Sequence, residues 1–163
     1  MLTAERLREL LHYNKDTGEF TRLVTVNNYK AKAGDKAACR SRGYGVLRVD
    51  GVLYRASRLA WLWMTGRWPD PECDHKDTNP SNNAWPNLRE ATSRQNKGNM
   101  KTPSHNTSGL KGVSWRPDKR KYRATIQVNG ITMHLGTFDC PAAAHCAYII
   151  AATKTFGEFA RSA

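Results

Sequence analysis

Three strand-like runs followed by an alanine-rich helix, between Ser108 and Gly157, constrain this chain more than any other feature. "GVSWRP", "KYRATIQVNG" and "ITMHLGTF" alternate apolar and polar residues, the period of a strand with one buried face. Asn129-Gly130 joins the second and third runs and accepts the positive φ angles of a two-residue hairpin turn. In "CPAAAHCAYIIAATKTFG", Pro141 suits a first helical turn and Gly157 lies past the helix end. The pattern predicts a three-stranded antiparallel sheet packed on one helix. Val113, Trp115, Tyr122, Ala124, Ile126, Val128, Met133 and Leu135 form its apolar face. Ser114, Arg116, Lys121, Arg123, Thr125, Gln127, Thr132 and His134 form the polar face, which holds bases and no acid. A sheet with one wet face explains that set without any function, but the sign bias suits a polyanion.

The same bias runs through the whole chain. Its 163 residues carry 26 Lys+Arg against 14 Asp+Glu, a formal charge of +12, which favours nucleic acid as partner. No apolar run approaches the ~20 residues of a membrane span, and "MLTAERLRELLHY" reads as an amphipathic helix capped by Thr3, not as a signal peptide. A cytoplasmic setting is expected. Cys39, Cys73, Cys140 and Cys146 form no Cys-x-x-Cys pair, so reduced thiols are expected in place of a zinc or redox site.

Between these ends, "EFTRLVTV" reads as a strand and residues 27–42 as loop. "GYGVLRVDGVLYRAS" is a hairpin turning at Asp50-Gly51, and "SRLAWLWMTGRWP" is a helix closed by Gly66, with Trp61, Trp63 and Trp68 as core. "ECDHKD" and "NLREAT" read as strands around an asparagine-rich loop, and a helix follows over "SRQNKGN" with Ser93 as its cap. The polar segment 100–108 reads as a linker.

The asparagine-rich region also carries chemistry. Phosphodiester hydrolysis needs a cation to neutralise phosphate charge and a base to activate water. Asp74 offers a carboxylate oxygen and Asn96 an amide oxygen, a donor set that selects hard cations such as Mg²⁺ or Mn²⁺. Imidazole, whose unperturbed pKa is about 6.5, suits a general base, and His75 supplies one beside Asp74. Neighbours on a strand face opposite ways, so Asp74 and His75 share a site only where the strand ends or twists. Asn87, opening the second strand, can fix the loop or orient the imidazole, while Asn79, Asn82 and Asn83 read as loop formers.

The stretch "DHKDTNPSNN…NLREATSRQN", with "GYGVLRVDGVLYRASRLAWLWMTGRWP" before it, resembles the HNH endonuclease family in its phage-encoded and homing branch. The resemblance implies an α+β fold with a ββα-metal module over 1–99, its core at about 71–99. It implies one divalent cation on Asp74 and Asn96, His75 as general base and Asn87 as the orienting residue. Family members commonly have His where this chain has Ser57, which raises the alternative of a DNA-binding regulator with a decayed nuclease module. Residues 109–163 resemble the DNA-binding domain of plant ethylene-response factors, which read double-stranded DNA with the sheet face. That likeness implies contacts from Lys111, Ser114, Arg116, Arg123, Thr125, Gln127, Thr132 and His134, and Lys121 shares their face. Ser114, Asp118, Thr132 and His134 replace Arg or Trp of the plant proteins, so their target sequence does not carry over. Together the two segments predict a site-specific nicking or homing-type endonuclease, monomeric or weakly dimeric, in a bacterial or phage-infected cell. An RNA-binding module would need exposed aromatics on the sheet, and the alternation puts Trp115 and Tyr122 on the core side.

Overall fold

The computed structural model describes residues 1–26, 31–37, 39–41, 43–102, 104 and 106–161, with backbone alone for 39–41. The chain forms two compact units, Met1–Ala91 and Thr92–Ala163. The first begins with α1 (Ala4–Leu10), where the Thr3 hydroxyl accepts from the Arg6 N–H at 3.2 Å as the expected cap. The helix ends earlier than its amphipathic pattern suggests. Leu11, His12 and Tyr13 form β1 and pair antiparallel with β2 (Phe20–Arg22). Tyr13 packs against Phe20 in a tilted pair at 4.8 Å and lies 5.8 Å from Trp63, so aromatic packing overrides the helical period.

Next come β3 (Cys39–Ser41), β4 (Tyr44–Val49) and β5 (Val52–Arg55), a three-stranded antiparallel sheet. The strand at 39–41 lies inside the expected 27–42 loop; residues 27–30, 38 and 42 of that loop are outside the described residues. The hairpin turns as predicted at Asp50-Gly51, with φ of 44° and 81°. Helix α2 (Ala56–Thr65) stops at Gly66, whose φ of 79° is left-handed. Leu59 and Ala60 are wholly buried with Leu7 in the core, and Trp61, Trp63 and Trp68 pack against that cluster as expected. Strand β6 (Glu72–His75) pairs antiparallel with β7 (Leu88–Ala91) through one 3₁₀ turn over Trp85–Asn87.

The second unit opens with α3 (Ser93–Asn99). Its cap is Thr92, one residue before the expected Ser93, because Thr92 and Gln95 form a reciprocal capping box. Strands β8 (Val113–Arg116), β9 (Lys121–Val128) and β10 (Ile131–Phe138) follow in the sheet order β10–β9–β8, all antiparallel, with α4 (Pro141–Phe156) behind them. The predicted strands and helix are present. The expected buried face is only partly buried, however. Val113, Ala124 and Ala144 form the packed centre, whereas Trp115 is 42 % and Met133 51 % exposed. Trp115 packs against Tyr122, ring centroids 4.8 Å apart, and Tyr122 is partly buried against the core as expected while Trp115 is the exposed member.

Close approach fixes two glycines of this unit. A Cβ on Gly112, whose φ is 76°, would lie 2.1 Å from the Tyr148 ring, and one on Gly98 would lie 2.6 Å from Phe156. The Lys111 ammonium donates to Gly98 O at 2.8 Å and to Met100 O, which ties α3 to the approach of β8. Gly112→Ala combines left-handed strain with a ring clash. It is expected to lower stability to urea by about 2 kcal/mol; an unchanged midpoint would refute this packing.

Candidate functional site

The β6–β7 ribbon fixes the two residues named first in the sequence. Asp74 lies directly opposite Arg89 in the register, and Arg89 Nε donates to Asp74 Oδ2 at 2.9 Å. Both side chains are largely buried, at 6 % exposure for Asp74 and 13 % for Arg89. Such a pair is costly to break from one side, because the remaining charge stays buried. The sequence reading missed Arg89, although strand register makes it the natural cross-strand partner.

His75 is the last residue of β6, which meets the strand-end condition for working beside Asp74. Its ring is buried, and Nε2 lies 3.1 Å from Asn83 Oδ1. Asn83 also donates from Nδ2 to Ser81 O at 3.4 Å, so it bonds within the loop as read and adds the contact to the imidazole. Asn87 takes the first of the two roles left open for it and fixes the loop. Its Oδ1 accepts from the Asp77 N–H at 3.0 Å, while its Nδ2 donates to Asp77 Oδ1 at 3.0 Å and to Asn82 O at 2.8 Å.

Asp77 is the hub of this loop. Besides Asn87, its carboxylate accepts from the Asn79 N–H at 2.8 Å and from Asn82 Nδ2 at 2.7 Å. Partial burial pushes its carboxyl up, but the hydrogen bonds from Asn79, Asn82 and Asn87 outweigh burial, and the net value lies below the usual range. A depressed folded value means that the ionised carboxylate stabilises the fold above the ordinary value of 3.8. That contribution is lost as pH falls through the folded value.

Asn96 lies on α3, in the second unit, and is half-buried. Among the described residues no three His, Cys, Asp or Glu side chains converge on a metal position. The carboxylate of Asp74, beside Arg89, is an oxygen donor of the kind a hard divalent ion takes, and so, by itself, is the amide oxygen of Asn96. Cys73, beside Asp74, is a poor ligand. Burial pushes its thiol up to about 12, and it donates to Ser57 O at 3.7 Å. Ser57 itself is 4 % exposed inside α2.

The sheet of the second unit brings most of the other predicted residues together in cross-strand rows. Ser114 pairs with Arg123, Arg116 with Lys121, Thr125 with His134, and Gln127 with Thr132. A bulge between His134 and Gly136 shifts the phase, so Thr137 joins the row opposite Arg123. Strict alternation hides that residue. Arg116 is bound by Asp118 at 3.0 and 3.1 Å, and Lys121 by Asp139 at 3.2 Å. Ser114 Oγ and Arg123 Nε are buried and have no hydrogen-bond partner among the described residues. Lys111 does not join these rows. Burial, with repulsion from Arg161, pushes its ammonium down to about 8 while it holds the α3 carbonyls.

Comparison with known proteins bears on this arrangement. The HNH endonuclease family model matches residues 54–97, from β5 to α3. An uncharacterised HNH endonuclease, L560, of Acanthamoeba polyphaga mimivirus is 32 % identical over 155 residues, covering 93 % of this chain and 77 % of its own. Protein 3.8 of Escherichia phage T7 is 44 % identical over 81 residues, covering 47 % of this chain and 67 % of its own. No solved structure matches. Among the described residues no helix is long and apolar enough to cross a membrane.

The loop geometry makes a quantitative prediction. Asn87→Ala removes two bonds to Asp77 and one to Asn82, and should cost about 2 kcal/mol in urea unfolding at neutral pH. Asp77→Asn should flatten the loss of thermal stability on acidification toward pH 3, and an unaltered acid profile would contradict the hub assignment.

Proposed function

Because this chain belongs to the HNH endonuclease family, we propose that it is a metal-dependent DNA endonuclease of the site-specific nicking or homing type. The observation that carries the reading is His75, a buried imidazole at the end of β6, adjacent to Asp74 and next to a loop locked by Asp77 and Asn87. In the proposed reaction His75 takes a proton from water, and the hydroxide attacks phosphorus in line. The P–O3′ bond breaks, leaving a 5′-phosphate and a 3′-hydroxyl after the leaving oxygen is protonated. Asp74 and Asn96 would hold Mg²⁺ or Mn²⁺, which supplies charge stabilisation for the phosphate and the leaving oxygen. Arg89, donating at 2.9 Å, orients the Asp74 carboxylate at the site. One such site cuts one strand.

The basic sheet supports a positioning role in the same reading. Ser114 and Arg123 pair across β8 and β9, and Thr125, Gln127, Thr132 and His134 lie on the adjoining rows. The Arg116–Asp118 and Lys121–Asp139 pairs are on exposed side chains, so exchanging their carboxylates for phosphates costs little.

The second reading, a DNA-binding regulator with an inactive nuclease module, is favoured by Ser57, which stands where the family commonly has His. Plasmid nicking separates the two. The nuclease reading expects Mg²⁺-dependent nicking that EDTA stops and that His75→Ala reduces by about 10²-fold or more. Specific DNA retention without any strand cleavage would establish the regulator instead, and equal nicking by His75→Ala would remove His75 from the chemistry.

A further inference from the structure

We infer that Arg55, held over the ring of Tyr44, is a phosphate contact through which the first unit grips DNA outside the candidate site. The inference rests on the reading of this chain as a protein that acts on DNA. The Arg55 guanidinium carbon lies 4.4 Å from the Tyr44 ring centroid. Arg55 ends β5 and is exposed, and among the described residues its guanidinium N–H groups meet no acceptor. Other arginines of this unit are occupied. Arg6 is bound by Asp50 and Glu9, Arg67 by Glu90 and Arg89 by Asp74. A guanidinium placed over an aromatic ring can still offer its N–H edge to a phosphate bidentately. The ring also restricts the side chain before DNA arrives, which lowers the entropy lost on binding.

Strand register puts a second base beside the first. Leu47 and Val49 of β4 join the buried core, so Tyr44, Val46 and Arg48 face the other way. Val46 pairs with Arg55 and Arg48 with Leu53, so Arg48 and Arg55 share that outward face. Arg48 is exposed, with one N–H group donating to Gly51 O at 2.7 Å. On β4 and β5 this face holds two bases, one tyrosine and no acid, the charge pattern that suits a chain of phosphates. The stack also has a fixed place relative to the site loop. Gly43, next to Tyr44, accepts from Ser81 Oγ at 3.3 Å, and Ser81 lies in the loop between β6 and β7. The strand end that carries Tyr44 is therefore bonded to the loop that follows His75.

The test is duplex binding by the full chain in EDTA, read by fluorescence anisotropy across a salt titration on two duplexes of unrelated sequence. Arg55→Ala is expected to weaken binding to both by about tenfold. It should also make the slope of log affinity against log salt shallower by about 0.9. Arg6→Ala removes a base already bound by two acids, so it controls for net charge and should leave the parent slope. An unchanged slope for Arg55→Ala, or an equal change for Arg6→Ala, would overturn the inference. Loss on one duplex alone would overturn it in favour of a base contact. Should Arg55→Ala fold poorly, Arg55→Gln keeps the stem without the charge and decides by the same slope. Mg²⁺-dependent nicking by the parent is scored separately. If the parent nicks and the slope does not move, the Arg55 contact fails and the nuclease reading stands. If the slope moves and the parent never nicks, the nuclease reading fails and the contact stands.

Discussion

A strand that ends in a loop leaves its last side chain poorly fixed unless something else closes the loop, and here that closure is a single carboxylate. Asp77 gathers one backbone N–H and the amides of Asn82 and Asn87, and Asn87 answers by accepting from the Asp77 N–H. The loop between β6 and β7 is thereby cross-linked from its first turn to the start of the returning strand. Every other feature of the site depends on this closure. It keeps Asn83 within reach of His75, and it starts β7 in the register that puts Arg89 opposite Asp74. Charged hydrogen bonds are the strong ones, which explains why one acid can hold so many asparagines in place.

The electrostatics of the ribbon follow from the same register. Burying Asp74 without a counter-charge would be prohibitive, and Arg89 supplies one from the neighbouring strand. The carboxylate is therefore held in place by Arg89, and it is an oxygen donor of the kind a hard cation takes. Cys73, the residue before Asp74 in β6, is held protonated by burial, so hard-oxygen chemistry at Asp74 meets no thiolate competition from it. Around this centre the chain carries a formal charge of +12, and its exposed ion pairs at Arg116 and Lys121 are ones that a phosphate can replace.

Much of this was legible in the sequence, and the failures have physical causes. Turn chemistry at Asp50-Gly51 and Asn129-Gly130, the helix stop at Gly66 and the strand–strand–strand–helix order of the second unit all appear as read. Local rules sufficed there because φ preferences and period are local. Helix α1 was read too long, since the aromatic packing that draws Tyr13 into β1 comes from Phe20 and Trp63, out of sight of a periodicity. Thr137 was missed because one bulge inverts the alternation beyond it. Within the site, Asp74 and His75 could be singled out by residue type, but Arg89 needs the strand register and Asn83 needs the folded loop. Four asparagines crowd the segment at 79, 82, 83 and 87, and composition alone cannot say which one meets the imidazole.

If the closed loop exists to hold His75 for chemistry, loosening it should cost cleavage even where the fold survives. The direct measurement is single-turnover strand cleavage by Asn87→Ala at a temperature where circular dichroism shows the protein fully folded. The account predicts a rate at least about tenfold below that of the parent chain, since a misplaced base loses most of its contribution. Cleavage at the parental rate by the folded variant would contradict it.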